Sequence, residues 1–264
     1  MQDMSPPAKP RKKTAASRPV EQPAIGLFST PDGIRTVGSP VRVKILSVLS
    51  TRELAFDEIV RLSGRAKSTV SVHLRGLEED GIIGSKADPK DERKKIFFLR
   101  STSLGNLSAG IPDDDAKDRA DLRISESDPF GFYRYMFRTI RVSLLAEGIN
   151  IDPVLRESGY RVGRTLSTNL ADKDLSSLLK KLGVFWKKHN LGTLEVESLA
   201  PLTLKARDCF ECGDLPQLGR PACAFDSGIL EAVFSEHFGK EQAVSETACY
   251  AMGDDHCRFV ITPK

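Results

Sequence analysis

At 264 residues the chain is long enough for two domains with real cores, because a domain commonly takes about 100 to 200 residues. Apolar residues at 40% and charged residues at 28% describe a globular protein, and no run approaches the roughly 18 uncharged apolar residues of a spanning helix, which excludes a membrane protein. The net charge is only +3, but residues 1–100 hold 19 basic against 12 acidic side chains and residues 101–264 hold 20 against 24, so a polyanionic partner belongs to the front half.

Residues 1–24 carry Lys9, Arg11, Lys12, Lys13 and Arg18 among prolines and alanines and read as a disordered basic arm. No apolar core follows that would serve an export signal, so the expected location is the cytoplasm. Residues 25–100 form the next unit, with dense local patterning from Val37 onward. Ser39-Pro40 is an N-cap followed by proline at the first helical position, and Val41, Ile45, Val48 and Leu49 then share one face of a helix ending near Ser50. A short helix from Phe56 to about Leu62 is broken by Gly64. The next helix, Ala66 to Glu79, points Val70, Leu74 and Leu77 inward and Lys67, Ser68, Ser71, Val72 and Arg75 outward. Two helices joined by a short glycine-containing turn make a helix-turn-helix. Ile82-Ile83 and Lys95 to Leu99 are short strands around a charged segment with Asp88-Pro89 as its turn signal, which makes a wing.

Residues 101–128, rich in Ser, Asp and Gly, read as a linker with a short helix from Asp114 to Arg123, and residues 129–264 as a second domain. Phe130, Tyr133, Phe137, Ile140 and Leu144 recur at helical spacing; the stripe is either core or a dimer seam. Further helices are expected from Pro153 to about Leu170 and from Lys173 to His189. Strands follow over Thr193 to Ala206, a helix over Ile229 to Phe238, and a hairpin over Ala243 to Met252 and His256 to Thr262. Helices segregated from antiparallel strands give an α+β fold: an N-terminal winged helix-turn-helix joined to a C-terminal α+β domain with an antiparallel sheet and helices.

A helix fits the major groove, so the front domain presents Lys67, Ser68, Thr69, Ser71, His73 and Arg75 to base edges and phosphates of double-stranded DNA. Lys86, Lys90, Arg93, Lys94 and Lys95 on the wing lie along phosphates, where they add affinity and little sequence information. The competing reading is a protein-contact module with a solvated hairpin. Residues Ala66 to Ile83 resemble the recognition helix and following turn of ArsR-type winged helix repressors over about residues 37–100. Metal-sensing members of that family carry a cysteine motif in the short helix before recognition. Leu54 to Val60 here has no cysteine, so a signal is expected to enter through the back domain.

All five cysteines, Cys209, Cys212, Cys223, Cys249 and Cys257, lie in the last fifth of the chain. An odd number in a chain read as cytosolic favours metal or redox chemistry over structural disulfides. With Gly253 at the centre of the last hairpin, Cys249 and Cys257 become cross-strand neighbours, and Cys223 sits near the N-terminus of the following helix, where the dipole favours thiolate. Three sulfurs and a carboxylate would complete a tetrahedral shell, with Glu246 the candidate oxygen. Strict strand alternation puts Glu246 on the face opposite Cys249, so its participation requires a bulge. The other reading is buried free cysteines in a core hairpin. Cys209-Phe-Glu-Cys212 is half a metal site, an oxidisable dithiol, or two ordinary cysteines, and Asp208, Glu211 and Asp214 are expected to raise its thiol pKa values. Phe185 and Trp186 either border a pocket for a small apolar ligand or belong to the core.

Gly219 to Phe225, Gly228 and Gly253 to Phe259, with Phe137 to Arg141 and Gly159 to Gly163, resemble the 4-vinyl-reductase-type domain over about residues 129–262. The resemblance to phenol-responsive activators carrying that domain implies zinc on Cys223, Glu246, Cys249 and Cys257. The fusion of the two modules resembles the redox-responsive transcription regulators of methanogenic archaea, which implies a cytoplasmic homodimer, a repressor, whose back-domain cysteines control DNA binding; Cys209 and Cys212 are the redox candidates. A reductase-like enzyme or a ligand-binding protein is the alternative, but no Gly-rich dinucleotide loop is present and His73, His189, His237 and His256 form no evident catalytic set. A scaffolding adaptor is a third possibility.

Overall fold

The computed structural model describes residues 25–108, 110 and 130–264. The basic arm of residues 1–24 and the helix expected from Asp114 to Arg123 lie outside the described residues.

The winged domain opens with a hairpin that the sequence reading did not contain, β1 (Ile25–Thr30) with β2 (Gly33–Val37). Helix α1 (Pro40–Leu49) follows, its first turn capped by the Ser39 hydroxyl, which accepts from the Arg42 N–H. A two-residue strand β3 (Leu54–Ala55) leads into α2 (Phe56–Ser63), and Gly64, with φ +67°, ends it in the left-handed conformation that glycine adopts without strain. Helix α3 (Lys67–Glu79) buries Val70, Leu74 and Leu77, as its spacing requires. The wing is β4 (Ile83–Asp88) paired antiparallel with β5 (Asp91–Leu99). Its strands run through most of the charged segment expected to form the connection, because Pro89 and Lys90 alone suffice for the turn.

Strand β6 (Thr102–Leu107) occupies part of the segment read as linker, pairs with β1, and also pairs with β7 (Ile149–Asn150) of the back domain. The resulting sheet, in the order β2-β1-β6-β7, contains strands from both halves of the chain.

The back domain starts at α4 (Gly131–Ala146). Its apolar stripe is not core: Tyr133 is 57% and Ile140 50% exposed. The inward face instead carries Arg138, Arg141, Val142 and Leu145, because the arginines reach buried oxygen atoms on neighbouring segments. Helices α5 (Asp152–Leu170) and α6 (Leu175–Lys188) precede the hairpin β8 (Thr193–Leu199) and β9 (Leu202–Arg207). Helix α7 (Ala224–Phe238) is apolar on all sides and buried from Asp226 to Phe234, which makes it the centre of the domain. It packs on α5 through Gly159 and Gly163, whose missing side chains let the two backbones meet. The sheet closes with β10 (Gln242–Ala248) and β11 (Cys257–Pro263), in the order β10-β11-β9-β8. Among the described residues no helix is long and apolar enough to cross a membrane.

Candidate metal centre and nucleic-acid interface

Four chain segments bring all five cysteines to one place. The turn after β9 carries Cys209 and Cys212, tightened by the Gly213 N–H donating to the Cys209 carbonyl at 2.9 Å. Cys223 is the N-cap residue of α7. Cys249 leaves β10 and caps a single 3-10 turn, Tyr250–Met252, where its N–H donates to the Asp254 carboxylate at 2.8 Å. Cys257 opens β11 opposite Ala206, so it is not the direct cross-strand partner of Cys249 that a hairpin centred on Gly253 would give. All five are buried.

The bulge that Glu246 needs is present. Glu246 pairs with Phe259 and Ala248 with Arg258, which leaves Thr247 as an extra residue and turns Glu246 and Cys249 toward one side. Ligand atoms of Cys212, Cys223, Glu246, Cys249 and Cys257 consequently lie within 4.8 Å of one another, and those of Cys209, Cys223 and Asp226 form a second such group. The sulfur of Cys223 stands 4.0 Å from that of Cys249 and 3.5 Å from that of Cys257, while Cys212 and Cys257 approach to 3.1 Å. A tetrahedral ion with metal–sulfur bonds of about 2.3 Å holds its sulfurs about 3.8 Å apart, so the spacing around Cys223 suits one.

The carboxylate of Glu246 gives an independent fit test. Its Oε2 accepts the Cys223 N–H at 2.8 Å, but its Oε1 is buried with no hydrogen-bond partner. Such an oxygen costs roughly 1 to 3 kcal/mol if nothing satisfies it, and a cation among the sulfurs would. Burial, reinforced by the neighbouring Cys249, pushes the Glu246 carboxyl up to about 9 when no ion compensates it. Burial likewise raises Glu211 to about 8 and Asp226 well above the usual carboxylate range. Hydrogen bonds from adjacent thiols, first from Cys212, hold Cys209 and Cys249 far below the ordinary thiol value. Cys212 is raised, chiefly by its hydrogen bond with Cys209, and Cys223 by burial. The expectation that acidic neighbours raise Cys209 therefore fails, since contacting thiols outweigh the exposed Asp208.

The clustered cysteines could hold a metal ion. Cys223, Glu246, Cys249 and Cys257 converge as a set, and Cys212 joins them, which the sequence spacing did not reveal. Only the distance of ten residues between Cys212 and Cys223, enough for the chain to turn back, hinted at it. Cys209 lies beside Cys223, 3.5 Å between sulfurs. Trp186 and Phe185 pack with the apolar core around Leu178 and Leu182, Trp186 completely buried.

Arg141 was also missed as a functional group. It donates to the Ala222 carbonyl at 2.9 Å and to Asp152 at 3.1 Å, and pairs with Glu211 at 3.4 Å. Glu211 in turn accepts the N–H groups of Phe225 and Asp226 at 2.9 Å, capping α7. A charged residue at an apolar-stripe spacing was the available signal.

On the front domain Lys67, Ser68, Ser71 and Arg75 are exposed on one side of α3, with Thr69 and His73 half-buried beside them. Lys67 reaches Asp57 at 2.9 Å in an exposed pair. The wing exposes Lys86, Lys90, Arg93, Lys94 and Lys95. A cleft of about 420 Å³ between helix and wing is lined by Ser71, Arg75, Arg93, Lys94 and Lys95, which places donors from both elements around one concavity.

Comparisons with known proteins divide the chain at the same place. The bacterial regulatory protein, arsR family, profile matches residues 39–85, and the profile of the vinyl-4-reductase domain matches residues 202–263. The uncharacterized protein MJ1642 of Methanocaldococcus jannaschii is 33% identical over 126 residues, 48% of this chain and 74% of its own length. MJ0150 of the same organism is 27% identical over 128 residues, 48% of this chain and 73% of its own. A crystal structure of a vinyl-4-reductase family protein from that organism aligns with 57% of this chain and 91% of its own at 21% identity and a TM-score of 0.37. An ArsR-type helix-turn-helix marks a DNA-binding regulator. The chain belongs to the family of MJ1642 and is a vinyl-4-reductase-domain protein with an arsR-family helix-turn-helix in front.

Proposed function

We propose that the chain is a cytoplasmic, homodimeric transcription repressor whose vinyl-4-reductase domain holds a zinc ion and converts thiol redox state into a change of DNA affinity. The observation that carries this reading is the buried sulfur cluster with the unsatisfied Glu246 Oε1 at its edge. Cys223, Glu246, Cys249 and Cys257 hold the ion, since thiolates and one carboxylate suit zinc. Cys209 and Cys212 are the redox-sensitive thiols. Peroxide oxidises two thiols to a disulfide, taking both electrons and both protons and leaving as water. A cleft of about 890 Å³ runs from Ser50 and Thr51 at the end of α1 to Cys223 and Glu246, a route for a small oxidant.

Lys67, Ser68, Thr69, Ser71, His73 and Arg75 read the major groove, and Lys90, Arg93 and Lys94 follow phosphates. The exposed row of Phe132, Tyr133, Met136 and Ile140 on α4 supports a dimer seam, which would set the spacing of two winged helices. The test is a gel shift on the upstream region of the protein's own gene, reduced against peroxide-treated. A coupling of about 1 to 3 kcal/mol gives an affinity ratio of about 5 to 150. Equal binding in both states removes the redox assignment, and no binding removes the regulator.

A further inference from the structure

The second donor group, Cys209, Cys223 and Asp226, shares Cys223 with the first. A four-coordinate ion uses at most four of the five donors in the first group, and neither Cys209 nor Asp226 belongs to it. The Cys209 sulfur is 3.5 Å from both the Cys223 sulfur and Asp226 Oδ2, on the side of Cys223 away from that group. Asp226 is only 2% exposed. Among the described residues, the Cys209 thiol is the one hydrogen-bond partner of its carboxylate, and no cationic side chain pairs with it. Glu211, the adjacent buried acid, differs in having two backbone N–H groups and Arg141. A buried carboxylate is stable when it is paired or coordinates a metal, and Asp226 has no protein cation to pair with.

We infer that the chain binds a second soft divalent metal ion, on Cys209, Asp226 and Cys223, with the Cys223 thiolate bridging it to the ion of the first site. The inference rests on the metal reading given above and extends it from one ion to two. A thiolate sulfur has lone pairs for two ions, and each thiol that binds releases its proton to solvent, so charge and atoms balance. Three protein donors leave a position open on the second ion, which makes it the more exchangeable of the two. Cys209 is then shielded from oxidation while that ion is present and becomes available to Cys212 chemistry when it leaves.

Full-length protein, reduced, stripped of metal and kept anaerobic, is titrated with Cd²⁺ and followed by native mass spectrometry and cadmium NMR. Two ions per chain and two resonances are expected, the second ion dissociating first under chelator. Asp226→Asn, nearly isosteric, and Cys209→Ser should each reduce the stoichiometry from two to one while far-ultraviolet circular dichroism stays unchanged. One ion at saturation in the parent protein overturns the inference and leaves the mononuclear reading standing. Two ions that persist in both variants also overturn it. No bound ion at all would remove both readings. If Cys209→Ser fails to fold, Asp226→Asn alone decides.

Discussion

Substituting Gly163 by alanine tests whether contact between α5 and α7 holds the metal centre in place. A Cβ at this position would stand 2.5 Å from the Ile229 carbonyl oxygen and 2.8 Å from the Ala232 Cβ. Carbon atoms in protein interiors rest about 3.5 to 4.0 Å apart, so the helices must separate by about 1 Å, and the obstructing groups are backbone and a rigid methyl that cannot rotate away. Overpacking of this kind costs about 1 to 3 kcal/mol, and the backbone clash argues for the upper end. The gain in helix propensity from glycine to alanine returns about 1 kcal/mol, leaving a net loss of about 2 kcal/mol. For a protein of this size that lowers Tm by about 4 to 8 °C in a reduced, anaerobic melt. Gly183 on α6 is the control, because there the nearest atom to an added Cβ, Leu194 O, is 3.3 Å away. Gly183→Ala should be neutral or slightly stabilising. Because α7 begins at Cys223, Gly163→Ala should also weaken metal retention, which Gly183→Ala should not. A Gly163→Ala protein melting at or above the parent temperature, or an equal loss in Gly183→Ala, would refute the argument.

Arg93 and Lys94 project from the wing with side chains 91% and 61% exposed; Arg93→Ala or Lys94→Ala should each reduce the slope of log K against log salt by about 0.9 per phosphate, about 1.8 for a dimer, with similar losses on specific and random duplex. A loss confined to the specific duplex would assign them to base recognition instead. Glu246→Ala should weaken zinc by about 100-fold or more in chelator competition, beyond the 10- to 100-fold typical of outer-shell losses; an unchanged affinity would show that Cys212 takes its place. Metal retention should fall as pH drops, because the thiolates protonate and every bound thiolate must lose its ion, and stripping the metal at neutral pH should lower Tm; a retention curve flat down to about pH 4 would exclude thiolate ligation.

The front domain was legible because its signals are local. Ser39-Pro40 fixes the start of α1, Gly64 the end of α2, and the spacing of Val70, Leu74 and Leu77 the buried side of α3. The missed β1–β2 hairpin had a signal too, since Thr30-Pro31-Asp32-Gly33 is a turn sequence between short apolar runs. Strand β6 was hidden by its composition. Gly105 looks like linker, yet β7 lies so close that a Cβ there would collide with the Asn150 carbonyl. Helix α4 misled because apolar periodicity assumes that the inside is apolar, whereas Arg141 faces inward to reach Ala222 O, Glu211 and Asp152. At the candidate site, the spacing of Cys223, Glu246, Cys249 and Cys257 was visible in sequence. The addition of Cys212 and the sharing of Cys223 with Cys209 and Asp226 depend on how four distant segments fold together, which no local pattern encodes.

The same long-range packing gives the cysteines a physical connection to the DNA-reading half. Glu211 lies between Cys209 and Cys212 in sequence, so any movement of that turn moves its carboxylate, which caps α7 and pairs with Arg141. Arg141 also holds Asp152, the first residue of α5, which Arg220 grips from the other side. Asp152 follows β7 by two residues, and β7 is hydrogen-bonded to β6, which is bonded to β1 in the sheet that leads through β2 to the Ser39 cap of α1. Every link in this chain is a hydrogen bond, an ion pair or a covalent step. A hydrogen bond to a charged group is worth about 1.5 to 3 kcal/mol, and a regulatory coupling needs only about 1 to 3. Rearranging the single Arg141–Glu211 contact when the cysteine turn changes shape would therefore suffice to bias the placement of the winged helix, without any large movement of the metal-bearing core.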